Sequence, residues 1–289
     1  MINRRQLLRR SLLSVGALSL GNAIQATNIS IPSTSKQLFQ HSACRWCYQD
    51  IPLEELAERG KDIGLKSLEL LRPEEWPIVQ AKGLQCAVAT DSFASIPNGF
   101  NNRKNHATLQ AAYPALIRKA ADAGIPNVIC FSGNRNGMKD DKGLENCARG
   151  LAPLVREAEQ AGVTLIMELL NSKVDHKDYM ADHTAWGVAL VNKIGSPNFR
   201  LLYDIYHMQI MEGNLIANIR EHHTAIAHYH TGGVPGRREI NASQEINYPA
   251  VIKAINDTGY TGFIGQEFIP SYESKLDALR EGVGICSLQ

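Results

Sequence analysis

Four short apolar runs in the second half of the chain each end in a carboxylate or an imidazole. This recurrence restricts the fold more than any other feature. The runs are residues 163–168, 199–204, 226–230 and 262–267, ending at Glu168, Asp204, His230 and Glu267. Each is mostly β-branched, aromatic or otherwise apolar and follows a segment of helical character, so each reads as a buried strand of a strand–helix repeat. The terminal residues stand 36, 26 and 37 residues apart, about one strand–helix unit each time. Parallel strands so spaced close into a (β/α)8 barrel, and their C-terminal ends meet at one mouth, where such barrels place their chemistry.

The first half follows the same grammar. A strand over 36–43 leads into a helix opened by Pro52 and closed by Gly64, then a strand over 67–71. A helix carrying Glu74, Glu75 and Trp76 precedes a strand over 84–90, and a polar stretch, 91–105, is long enough to cover a site as a lid. A helix over 106–123 and a strand over 127–131 follow, and a helix through Leu151 and Val155 joins the first half to the second. Helices near 184–194, 215–223, 249–258 and 273–285 complete the pattern. About eight units without an internal linker make one α/β domain, a single (β/α)8 TIM barrel over residues 27–289. The 289 residues, 44% hydrophobic and 20% charged, supply ample core.

Residues 1–26 have the pattern of a processing segment: Arg4 and Arg5 with further basic residues, then an apolar run over 12–20 and small residues that permit cleavage after Ala23 or Ala26. This resembles a twin-arginine export signal and predicts a periplasmic or exported protein, membrane-anchored if the segment is retained. A net charge of +1 predicts no nucleic-acid partner. The six cysteines include Cys44 and Cys47 at redox or zinc spacing, without a second pair. They read as reduced core or rim residues, although an oxidising compartment would permit a disulfide between them.

Taken singly, Glu168 reads as a surface acid, Asp204 as a helix cap and His230 as a packed core histidine. Four such residues in phase with the repeat describe a metal site. Three oxygen donors and one imidazole favour Mn2+ or Mg2+, with Co2+ or Zn2+ as substitutes. His228 lies on the same strand face as His230 but deeper, so His230 is the expected ligand. Glu168 and Glu267, flanking the ion, are the candidate acid and base for proton transfer next to a carbonyl. Lys173, His207 and Arg237, in the loops after three successive strands, are the candidate contacts to a hydroxy-carbonyl or sugar substrate, with a solvated loop charge as the alternative for Arg237. Trp46 and Phe93 are candidates for an apolar wall.

The phrases around Glu168, Asp204 and His230, the run Val234-Pro-Gly-Arg237, the run Glu245-Ile-Asn-Tyr248 and Gly265-Gln-Glu267 resemble the hydroxypyruvate isomerase family of the xylose isomerase-like barrels. The resemblance runs from about residue 37 to the C-terminus. It implies that Glu168 and Glu267 are acid/base pair and metal ligands, that Asp204 and His230 complete the metal shell, and that His207 stands beside the substrate. It further implies conversion of hydroxypyruvate to tartronate semialdehyde through an enediolate. Better-known members lack an export signal and tend to carry Gln where His230 stands, the epimerase-like choice. An exported keto-sugar epimerase, isomerase or lyase is therefore the first rival, and a non-catalytic sugar-binding barrel the second. An endonuclease is set aside for want of further histidines and a basic groove. The oligomeric state, a homo-oligomer included, is left open.

Overall fold

The computed structural model describes residues 36–288, so the twin-arginine pattern in residues 1–26 lies outside the described residues. Eight parallel strands appear in chain order: β1 Gln40–Cys44, β2 Ser67–Glu69, β3 Val88–Ala89, β4 Asn127–Cys130, β5 Thr164–Leu169, β6 Phe199–Asp204, β7 Ile226–Thr231 and β8 Phe263–Gln266. Their order in the sheet is β2-β1-β8-β7-β6-β5-β4-β3. Parallel bridges between Ser67 and Gln85 and between Leu71 and Ala89 then join β2 to β3. A barrel results, as the repeat predicts.

Helices pack outside the strands. They are α1 Leu53–Ile63, α2 Trp76–Ala81, α3 His106–Asp122, α4 Asp140–Ala161, α5 Thr184–Ile194, α6 Ile205–Met211, α7 Leu215–His222, α8 Tyr248–Asp257 and α9 Lys275–Ile285. Their sequences explain their ends. Pro52 precedes α1, Glu54 and Glu55 favour its positive N-terminal end, and Gly64 at φ 112° accepts the left-handed turn that closes it. Leu56, Leu116, Leu151, Leu190, Ile252 and Leu279, one from each of six helices, are buried against the sheet. Each contributes on the order of 2 kcal/mol by leaving water. Among the described residues no helix is long and apolar enough to cross a membrane.

Two expectations change. His207, expected in the loop after β6, lies instead in α6, which Asp204 caps: its Oδ1 accepts the His207 N–H at 3.1 Å. The stretch 91–105 is also not a free lid. The N–H groups of Phe100 and Asn101 donate to the carbonyls of Phe131 and Ser132, which fastens its second half to the end of β4. Gly99 permits this approach, since a Cβ there would lie 2.2 Å from the Phe131 oxygen. Only its earlier part, with Ala94 and Ile96, faces the barrel mouth.

Candidate active site

The register of the long strands brings the four predicted residues to one level. Asp204 pairs with His230 across β6 and β7, His230 pairs with Gly265 across β7 and β8, and Glu267 follows β8 directly. Glu168 is the fifth residue of β5. One donor atom from each of Glu168, Asp204, His230 and Glu267 lies within 4.8 Å of the others, and all four are buried. His230 Nδ1 is 2.9 Å from Glu267 Oε2 and 3.3 Å from Glu168 Oε1.

A cavity of about 830 Å3 opens above this cluster. Glu168, Glu267 and Arg237 contribute to its lining, with Trp46, Leu70, Ile129, Phe131, Leu170 and His176 among the walls. Asp204, His207 and His230 are fully buried and do not line it. Arg237 is one of the few non-glycine residues at positive φ, +56°, in a turn whose N–H donates to the Gly233 carbonyl at 2.8 Å. That turn sends its guanidinium inward, between the rings of Trp46 and Tyr206 at 5.1 and 5.3 Å. It donates to Glu267 Oε2 at 2.6 Å and lies 3.4 Å from Asp204 Oδ2. Arg237 is thus at the site, held by the protein's own acids rather than solvated.

The electrostatics show a shortage of positive charge. Burial, with the neighbouring Glu267 charge, pushes the Glu168 carboxyl above its ordinary range. Asp204 is also raised by burial and by Glu267, although Arg237 opposes this. Burial would raise Glu267 as well, yet His230 and Arg237 hold it well below the usual range. Burial disfavours charge on His230, but Cys44, Glu267 and Glu168 raise its pKa well above the ordinary value. Three carboxylates meet one guanidinium and one imidazole, and two of the acids are still disfavoured as anions. The donor set, three carboxylates and one imidazole, fits a divalent cation.

Beneath the cluster lies a residue that the sequence reading missed. Glu69, the last residue of β2, is fully buried, and its Oε1 accepts from His230 Nε2 at 2.6 Å and from His228 Nε2 at 2.7 Å. β2 and β7 are not neighbours in the sheet, so these bonds cross the barrel interior. Burial opposes its ionisation, but the two imidazoles hold Glu69 well below the ordinary carboxylate range. The carboxylate orients His230 with Nδ1 toward the three acids, the arrangement of an outer-shell partner to a metal-ligating histidine. Gly265 makes room, because a Cβ there would meet Glu69 Oε1 at 2.5 Å. His228 sits deeper, as its place on the strand predicts. Trp46 was also only half anticipated: it walls the cavity, and its indole N–H donates to Glu267 Oε1 at 2.7 Å.

The remaining candidates separate. His207 is buried, with Nε2 3.7 Å from Asp204 Oδ2. The structure does not bring Lys173 to the cavity: its ammonium donates to the carbonyls of Ile210 and Met211, both at 2.9 Å, and closes the end of α6. Phe93 packs edge-on against Tyr113, 4.8 Å away, and does not line the cavity. Cys44 and Cys47 are buried free thiols.

Eight parallel strands with a cluster of acids and histidine at the mouth define a TIM barrel with its candidate site in the usual place, and comparison with known proteins places it in a family. The chain belongs to the xylose isomerase-like TIM barrel family, whose model matches residues 51–285. It is 28% identical over 241 residues to a putative hydroxypyruvate isomerase of Homo sapiens, covering 80% of each chain. It is 33% identical over 127 residues to a 2-oxo-tetronate isomerase of Cupriavidus necator, covering 44% of this chain and 46% of that one. Its fold matches the crystal structure of the IOLI protein with a bound zinc atom at a TM-score of 0.71 and 14% identity, over 86% of this chain and 96% of that one. The chain is an isomerase of this family.

Proposed function

We propose that the chain isomerises a small hydroxy-carbonyl acid through an enediolate, with hydroxypyruvate and tartronate semialdehyde as the provisional pair. The observation that carries this reading is the placement of Glu168 and Glu267, three strands apart in the barrel, both lining one cavity above Asp204 and His230. Glu168, Asp204, His230 and Glu267 would hold a divalent ion. When bound, it polarises the substrate carbonyl and hydroxyl and makes the adjacent C–H more acidic. One glutamate removes a proton from C3 of hydroxypyruvate, and the other delivers a proton to C2. The C3 hydroxyl proton passes to the C2 oxygen, which leaves an aldehyde at C3. Arg237, held by Glu267 and Asp204 beside the aromatic rings, lines the cavity as the cation near which a substrate carboxylate would bind. The names of the human and Cupriavidus relatives support an oxo-acid substrate, and the zinc-containing protein of the same fold supports a divalent ion. Export through the twin-arginine route remains part of the proposal, on the pattern of residues 1–26.

A keto-sugar or its glycoside is the second reading. The cavity of about 830 Å3 favours it, because pockets of roughly 300–1,000 Å3 serve ligands far larger than a three-carbon acid. Both readings meet one test. The chain is stripped of metal, reloaded with Mn2+ or Mg2+, and incubated in D2O with hydroxypyruvate, a 2-oxo-tetronate, ketoses and 3-keto sugars. Metal-dependent deuterium entry at carbon, followed by NMR, identifies the substrate. Binding of a sugar without exchange would instead make the chain a binding protein.

A further inference from the structure

The loop after β5 contains a side chain whose hydrogen bonds leave only one orientation. Asn171 is fully buried, and its Oδ1 accepts from the N–H groups of Val174 and Asp175, both at 2.9 Å. Its Nδ2 therefore faces the other way, toward Asp175 Oδ2 at 2.6 Å and His207 Nδ1 at 2.7 Å. Exchanging the two amide ends would set an NH2 group against two backbone N–H groups and an oxygen against the Asp175 carboxylate. The Asp175 carboxylate is held in turn by the Tyr206 hydroxyl at 2.8 Å.

This settles the histidine next to it. A ring nitrogen that receives an amide N–H must present its lone pair, so His207 Nδ1 bears no proton. The ring is neutral, and its proton sits on Nε2. That atom is buried and has no hydrogen-bond partner among the described residues, with Asp204 Oδ2 at 3.7 Å. A buried donor without an acceptor is costly unless something fills the gap.

We propose that Asn171 is a positioning residue: it locks His207 as a neutral Nε2–H donor aimed at the Asp204 end of the reaction centre. His207 then serves no proton-abstracting role, which leaves that work to Glu168 and Glu267. The one donor it offers points toward Asp204 Oδ2, 3.7 Å away, so it acts on the reaction through that carboxylate.

The test reads the tautomer directly. His-selective 15N NMR on the resting, metal-free chain, with His207→Gln to assign the signal, is expected to show Nε2 protonated and Nδ1 not. Asn171→Asp keeps an oxygen for the Val174 and Asp175 N–H groups but replaces the donor by an acceptor, so a proton is expected to appear on Nδ1. Asp175→Asn, which leaves the Asn171 amide in place, is expected to keep the resting pattern. A proton on Nδ1 in the unaltered chain overturns the assignment, and so does an unchanged ring in Asn171→Asp. The same change produced by Asp175→Asn would transfer the role to Asp175 and also overturn it. The wild-type spectrum needs no variant to fold.

With the substrate identified by deuterium exchange, Asn171→Asp is expected to lower kcat on the order of 100-fold with little change in KM. Equal kcat for the two chains would overturn the donor role. The kinetic half rests on the isomerase reading and the NMR half does not, so the two fail separately.

Discussion

The two halves of the barrel do different work. β5, β6 and β7 are six residues long, and with β8 they deliver Glu168, Asp204, His230 and Glu267 to one level. β2, β3 and β4 have three, two and four residues, and β2 meets β3 only through isolated bridges. The contribution of this first half, β1 and its following turn included, is indirect. Glu69 orients His230, Trp46 donates to Glu267, and Ile129 and Phe131 wall the cavity. Ligand geometry tolerates little displacement, and long ladders hold it, whereas a wall or an outer carboxylate works from shorter and less regular segments. The first half thus shapes what the second half performs.

The largest expected effect lies in the second half. Glu168→Gln and Glu267→Gln each keep the shape of the side chain and remove the base, so kcat is expected to fall by about 1,000-fold or more, measured as isotope exchange at saturating metal. A first-half substitution with an equal effect would break the division.

A second effect separates stability from chemistry at the opposite end of the barrel. His41, the second residue of β1, is buried against Phe39, and burial lowers its pKa from 6.5 to about 4. The unfolded chain takes up the proton first as the pH falls. The neutral ring's contribution to stability is therefore complete above about pH 6.5 and is lost between there and about pH 4. The shift corresponds to about 3 kcal/mol once the ring is charged. Denaturant unfolding of His41→Gln is expected to show a shallower loss over that window than the unaltered chain. An identical acid limb would place the sensitivity elsewhere.

The barrel was legible because its evidence is periodic: eight apolar runs and four donors in phase. Glu69 lacks that signature, because the run continues through Leu70 and Leu71 and leaves the acid inside the predicted strand, and its partners are His228 and His230, 159 and 161 residues away. Nothing local marks it as part of their group. Lys173 shows the opposite failure. Its loop was placed correctly, yet a long flexible side chain in a loop has many directions, and the free carbonyls ending α6 lie closer than the cavity. α6 was missed because Asp204 does two jobs, capping a helix and facing the cluster of acids and His230, and the reading kept only one.

The smaller effects sharpen the contrast from the first half. Glu69→Gln retains an oxygen for the imidazoles but removes the charge that they neutralise. Mn2+ affinity, read by competition with a chelator, is expected to weaken about 10- to 100-fold, with the fold kept. Unchanged affinity would reduce Glu69 to a packing element.

Trp46→Phe is the mildest change and the most discriminating. It keeps an aromatic face for the Arg237 guanidinium and removes only the N–H that Glu267 Oε1 accepts at 2.7 Å. Glu267 retains Arg237 and His230 through its other oxygen, so the carboxylate stays in place but loses a restraint on its rotation. A donor to a charged group that keeps its other partners contributes about 1–1.5 kcal/mol, so kcat/KM is expected to fall about 10-fold while metal affinity hardly moves. Were metal affinity to fall as far as in Glu69→Gln, Trp46 would belong with Glu69 as a support of the ligand shell. Were kcat/KM to fall as far as in Glu267→Gln, the first half would hold part of the chemistry, and the division between the halves would fail.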